Sequence, residues 1–270
     1  MSDSSLLVKR FAAAGLELEF ASAPLLWPGQ GESKEVFQLD VSRPNRHERF
    51  RLWSGHRENR FEVEGVDRTL QQLVMMVQEP RRRFEIEVSP WVELGPGTRV
   101  LRRNGRRRWI EQWTDPRKRH FLCGMDEAHY FNAQLPFGVS TVRGAHEILR
   151  APELALVERH APARTIRQGE WFFVAISHEE EAEVARYAAK NLVQRSIGLA
   201  EAARIARPGR PHRADEVLVM RLPRHPEVLR IYARGRVRHA DHEPVVFKHW
   251  RRVIPNNEPR AQPFGVRWID

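Results

Sequence analysis

His239 and His242 stand three residues apart in the run Arg234-Gly235-Arg236-Val237-Arg238-His239-Ala240-Asp241-His242-Glu243-Pro244-Val245. The apolar residues on either side predict a β-hairpin whose tip carries both imidazoles, so the two rings can converge on one point. Imidazole is the commonest side-chain metal ligand, and open catalytic sites often use three protein ligands plus water. The segment Pro208-Gly209-Arg210-Pro211-His212-Arg213-Ala214-Asp215-Glu216 precedes another strand of the same region and offers a third ligand, His212, with Asp215 and His249 behind it. Two chemistries suit such a set. Three imidazoles holding a divalent ion, zinc or manganese, would activate water and polarise a phosphoryl or carbonyl oxygen, with Asp215, Asp241 or Glu170 as base. Without metal, one histidine as base and one as acid suffice for RNA cleavage by the neighbouring 2′-hydroxyl, with Arg210, Arg213 or Arg238 supporting the phosphate. The chain holds 12 histidines in 270 residues, so some clustering arises by chance, and a His-Ala-Asp-His turn also reads as a solvated tip.

The order of these residues resembles a group of uncharacterised bacterial and phage proteins. That group carries an Arg-Gln-Gly-Asp opening before a buried strand, then Gly-His-x-His, then His-Glu-Glu-His-x-Pro-Ile, then an aromatic followed by Arg-Val. The chain has Arg167-Gln168-Gly169-Glu170, then Gly209-Arg210-Pro211-His212-Arg213, then His239-Ala240-Asp241-His242-Glu243-Pro244-Val245, then Trp250-Arg251-Arg252-Val253. The resemblance spans about residues 166 to 258 and departs at Arg210, which replaces the first histidine of Gly-His-x-His and reduces a four-histidine set to three. It implies that the histidines belong together as a metal or acid/base site; it implies no particular activity.

A second constellation is His120, Cys123, Asp126, Glu127 and His129, whose three-residue spacings suit a metal or an activated thiolate on a helix. The flanking Phe121-Leu122 and Tyr130-Phe131 read as strand instead, which makes Cys123 a small buried hydrophobe and this segment a seam between two parts of the chain.

A third is Arg102-Arg103-Asn104-Gly105-Arg106-Arg107-Arg108-Trp109, with Arg81-Arg82-Arg83 and Trp113 nearby in sequence. Asn-Gly between apolar runs signals a hairpin. A basic hairpin with aromatics can hold phosphates and stack bases, while charged tips and edge strands are also ordinary devices against aggregation. Of 45 Lys and Arg only five are Lys, at 9, 34, 118, 190 and 248, against 35 Asp and Glu, for a net charge of +10. Such an arginine excess suits a phosphate-bearing partner, nucleic acid first among them.

No phosphate-binding P-loop, dinucleotide fingerprint, His-Glu-x-x-His or Gly-x-Ser-x-Gly occurs, which argues against P-loop ATPases, dinucleotide oxidoreductases, zincins and α/β-hydrolases. The single cysteine allows no internal disulfide. No stretch approaches the roughly 20 apolar residues of a membrane span, and a cytoplasmic protein with no membrane partner is expected.

These residues must be positioned by strands. Period-two patterns predict strands near 16–20, 36–41, 49–53, 61–66, 73–77 (or a short helix over 70–77), 84–88, 99–103 and 106–110, after a short apolar turn at Leu6-Leu7-Val8. A helix follows Ser140, and a turn at Gln168-Gly169 feeds a strand buried on both faces. Helices over 179–190 and 192–207 come next, then strands at 217–222, 229–237, 245–247 and 264–269. The expected fold is α+β: a β-rich basic N-terminal domain, 1–138, a helical connector, 139–163, and an α+β histidine-bearing module, 164–270. The expected function is a metal- or histidine-dependent nuclease- or phosphodiesterase-type enzyme acting on RNA or DNA. Its site is His212, His239, His242, Asp215 and Arg210, with Arg102, Arg103, Arg106, Arg107, Arg108, Trp109, Arg213 and Arg238 on the polymer. The alternatives are a non-catalytic nucleic-acid-binding or assembly protein that uses the Arg-rich hairpin, and a metal-stabilised β module that recognises a protein.

Overall fold

The structure is a computed structural model and describes residues 4–25, 36–43, 47–89, 91–154, 157, 165–190, 192–205, 211–222, 225–240 and 242–257. It is α+β with strands predominating. The chain divides into two compact units. Among described residues, the first holds those up to 124 and 130–142, and the second holds 125–129 and everything from 143 onward. The helix of the expected connector, Val142–Leu149 (α2), therefore lies almost wholly in the second unit, where Asn257 N–H donates to Leu149 C=O at 2.7 Å. Described residues contain no helix long and apolar enough to cross a membrane.

In the first unit the apolar turn expected at Leu6–Val8 is a full helix, Ser4–Ala13 (α1). Leu7 and Phe11 fall four apart on its inner face, both buried, and Phe11 meets Phe50 edge-on at 5.5 Å. A small sheet follows in the order β1 (Leu18–Phe20), β3 (Arg49–Trp53), β2 (Gln38–Ser42), with β1 parallel to β3. An antiparallel sheet orders β10 (His129–Leu135), β9 (Arg117–Asp126), β5 (Gln72–Glu79) and β4 (Arg60–Asp67). The segment 70–77, ambiguous between strand and helix by pattern, is strand because β5 pairs on both edges and buries residues 72–77 on both faces. The third sheet orders β6 (Arg82–Val88), β8 (Arg107–Thr114) and β7 (Val100–Asn104). Asn104 pairs with Arg107 across a two-residue turn in which Gly105 takes φ +57°, the conformation a tight hairpin needs and glycine adopts without strain.

The second unit is one antiparallel sheet in the order β11 (Thr165–Gln168), β12 (Trp171–Ala175), β16 (His242–Pro255), β15 (His225–His239), β14 (Arg213–Leu222), β13 (Gln194–Gly198). The helix His178–Ala188 (α3) starts at Ser177, whose hydroxyl accepts from Glu180 N–H. The helix expected over 192–207 is instead β13 followed by the four-residue helix Leu199–Ala202 (α4). Strand pairing of Gln194 with Val217 and Ile197 with Ala214 overrides the helical composition, and the short helix drives Leu199 and Ala202 into the core. The strand expected at 264–269 lies outside the described residues.

Registers jump between Ala233–Arg251 and Gly235–Phe247, so the β15–β16 hairpin bends there. The bend folds its tip back over the β11–β12 turn, where buried Gln168 donates to Glu243 C=O at 2.5 Å. Trp171, Phe173, Val217, Ile231, Val237, Phe247 and Val253 fill the resulting interior.

Candidate metal centre

Sheet register assembles the histidines. Arg213 pairs with Arg238, so one more step along β14 and β15 sets His212 opposite His239. His239 in turn pairs with His242 across the hairpin tip. Directly paired residues project from the same face of a sheet, so three neighbouring strands contribute one imidazole each to a single row. The His212 and His239 rings stack at 4.2 Å, His239 and His242 lie at 5.1 Å, and His212 and His242 at 5.5 Å. One ring nitrogen from each lies within 4.8 Å of the others. The backbone of His212 is held by Leu199 N–H at 2.8 Å, which makes α4 the anchor of the third imidazole.

The β11–β12 turn covers this row. Gly169 has φ +55°, and a Cβ placed there would meet His242 Nε2 at 2.9 Å and His212 Nε2 at 3.2 Å. Only glycine keeps the space in front of these nitrogens open. Arg167 Nε holds the turn through Gly169 C=O at 2.8 Å, and its guanidinium lies 3.6 Å from Asp126.

Behind the rings stand two carboxylates. Glu170 Oε1 lies 3.4 Å from His212 Nδ1 and accepts from Trp171 Nε1 at 2.7 Å. Glu127 Oε1 lies 3.7 Å from His242 Nδ1, and its other oxygen accepts from Glu243 N–H at 3.2 Å. His212 is 2% exposed, yet neither of its nitrogens makes a hydrogen bond, and His242 Nδ1 makes none. A buried polar group left unsatisfied costs about 1–3 kcal/mol. Burial, then repulsion from His212, holds His242 below the ordinary imidazole range against the pull of Asp126 and Glu127. The neutral ring so favoured is the form that donates a lone pair. Two imidazoles with a carboxylate near Nδ1 form the arrangement that presents Nε2 to a metal ion, and with His239 as the third donor coordination positions stay open.

Asp215, expected as a base beside the histidines, is committed elsewhere. It accepts from Arg236 N–H at 2.9 Å and from Arg238 at 3.0 Å, and closes the β14–β15 irregularity against Gly235, whose φ is +83°. Arg238 is thereby engaged with Asp215, and Arg213 donates to Ser196 C=O. His249 is exposed and pairs with Glu181 at 3.1 Å, apart from the row. Arg210 and Asp241 lie outside the described residues.

The constellation around Cys123 does not assemble. Cys123 is fully buried in the first unit and its thiol is pushed far up by burial, His120 turns to Glu64 at 3.2 Å, and Asp126, Glu127 and His129 belong to the second unit. Glu127 is the residue that sequence reading put with the wrong partner. It is 115 positions from His242, and no local pattern links them.

The Arg-rich hairpin belongs to the first unit. Arg102 lies over Trp109 at 4.3 Å and reaches Glu85 at 3.3 Å, Arg107 reaches Glu87 at 3.5 Å, and Arg108 donates to Ser89 C=O and Val92 C=O. Arg103 and Arg106 are exposed.

Comparison with protein-family models, with curated proteins and with solved structures finds no match.

Proposed function

We propose that the second unit holds a divalent ion, zinc or manganese, on His212, His239 and His242, and that the protein is a hydrolase acting on a phosphate-containing polymer, RNA or DNA. The observation that carries the reading is the row of three imidazoles with one nitrogen of each within 4.8 Å of the others, two of the rings backed by carboxylates. An ion of this kind supplies Lewis acidity, which activates water and polarises a phosphoryl oxygen. The chain's own residues do the rest. Glu170 and Glu127 favour the Nδ1–H tautomers of His212 and His242, which turns Nε2 toward the ligand. Gly169 keeps the space before those nitrogens clear for a substrate oxygen. Arg167, exposed beside that turn, offers a guanidinium to a phosphate. The net charge of +10, almost entirely arginine, draws a polyanion to the protein.

Hydrolysis of an activated phosphodiester and of labelled RNA and DNA, with zinc or manganese added, tests the reading. His239→Ala should abolish metal-dependent turnover; equal turnover by the variant would refute it. The near-complete burial of His212 favours a second reading, in which the ion only pins the hairpin of a β module that binds a protein. Stoichiometric metal with no turnover on any phosphodiester is the outcome that selects it.

A further inference from the structure

The β6–β8–β7 sheet is built unlike the others. Among its residues whose side chains are described, Ile110 is the one buried hydrophobic, while Ile86, Val88, Val100, Leu101 and Trp109 are half-buried. Large apolar side chains stay in water instead: Trp113 is 50% exposed, and Trp91, on the loop after β6, is 81% exposed. Between residues 81 and 117 the chain carries ten arginines against five carboxylates, half of its entire positive excess.

Register puts two tryptophans and several of the arginines on one face. Trp109 and Trp113 are both on β8 and four residues apart, so they share a face at about 13 Å. Arg107 lies two residues before Trp109 on that face, Arg83 pairs with Trp113, and Arg102 pairs with Trp109. Arg102 covers the Trp109 ring at 4.3 Å and Arg81 the Trp113 ring at 4.9 Å. Glu85, Glu87 and Glu111 also lie on this face and pair with Arg102, Arg107 and Arg83 at 3.2 to 3.5 Å. The pairs through Glu85 and Glu87 are exposed and yield readily to a phosphate, while Glu111 is mostly buried; all three hold guanidinium groups beside the indoles. Arg103 pairs with Arg108 and so belongs to the opposite face, while Arg106, in the turn itself, is exposed with no acidic partner among the described residues.

We propose that this face is a platform for single-stranded nucleic acid: unpaired bases stack on Trp109 and Trp113, and Arg81, Arg83, Arg102 and Arg107, with Arg106 at the tip, follow the phosphates. Base stacking on an indole requires an unpaired base, which selects a single strand over a duplex. The platform lies in the first unit and stands whether or not the second is a hydrolase.

The test uses the full chain with fluorescein-labelled oligo(dT) and oligo(U), read by anisotropy in excess EDTA so that metal-dependent cleavage plays no part. Binding is expected, accompanied by quenching of tryptophan emission, and it should weaken as salt rises from about 50 to 200 mM. Trp109→Ala/Trp113→Ala should lower affinity by about tenfold or more with little change in salt slope, and Trp109→Phe/Trp113→Phe should recover most of it. Arg106→Ser, at an exposed turn position where folding is not at stake, should flatten the salt slope by about one. The proposal fails if neither oligonucleotide binds at low salt, or if the tryptophan variants, folded by circular dichroism, bind like wild type. It also fails if a duplex, heparin or phosphatidylserine vesicles compete as well as the single strand does.

Discussion

His212 and His239 stack with ring centroids 4.2 Å apart and planes 14° from parallel because the β14–β15 register carries one beyond the Arg213–Arg238 pair to the other. The candidate centre is thus a property of strand register. A slip of one residue would bring Pro211 or Arg213 opposite His239 and turn every neighbouring side chain to the other face.

Asp215 secures that register from a distance, through Arg236 N–H and Arg238. Asp215→Ala should weaken zinc binding several-fold although Asp215 touches no histidine of the row, and Asp215→Asn should restore part of it. Isothermal titration of the metal-free protein measures both; unchanged affinity in Asp215→Ala would separate the irregularity from the site.

Gly169 should tolerate no side chain. Alanine there must hold φ near +55° and set its Cβ 2.9 Å from His242 Nε2. The backbone strain costs about 1–3 kcal/mol and the methyl group fills the ligand's position. Gly169→Ala should therefore keep the fold, lower the melting temperature modestly and lose more than nine-tenths of its bound metal, by elemental analysis.

Glu127 and Glu170 act through the rings they face. Glu127→Gln and Glu170→Gln should each reduce metal affinity by about 10–100-fold, the size usual for such outer carboxylates. Competition with a chromophoric chelator reads the loss, and wild-type affinity in both variants would assign the carboxylates to other work.

A separate titration belongs to the first unit. Burial, the largest influence, holds His120 below its ordinary value of 6.5 despite Glu64 beside it. As pH falls below that value the unfolded chain takes up a proton that the folded chain resists, so stability declines with acid and is unaffected by this group above it. His120→Gln should show a shallower fall of melting temperature from about pH 7 to 5 than wild type. Parallel curves would show that His120 does not contribute.

Much of this was legible in the sequence. The alternation around Asn104-Gly105 and the His239–His242 tip located two hairpins, and the buried strand after Gly169 was plain from Trp171-Phe172-Phe173-Val174. His212 reads as the third ligand because it precedes a strand of the same region. What sequence missed depends on tertiary pairing. Residues 194–198 look helical until β14 offers an edge, and α1 looked like a turn because its inner face is only Leu7 and Phe11. Asp215 looked like a base from its spacing, whereas the Arg236 amide and Arg238 claim both its oxygens. Glu127 reaches His242 from the tip of a hairpin elsewhere in the chain, a contact no local spacing encodes.

The most direct test of the metal centre is elemental analysis of the untagged protein beside His239→Ala/His242→Ala. About one equivalent of zinc or manganese per chain, absent from the variant, is the predicted result. A wild-type protein that binds neither ion after reconstitution, or a variant that binds as much as wild type, would contradict the three-histidine site.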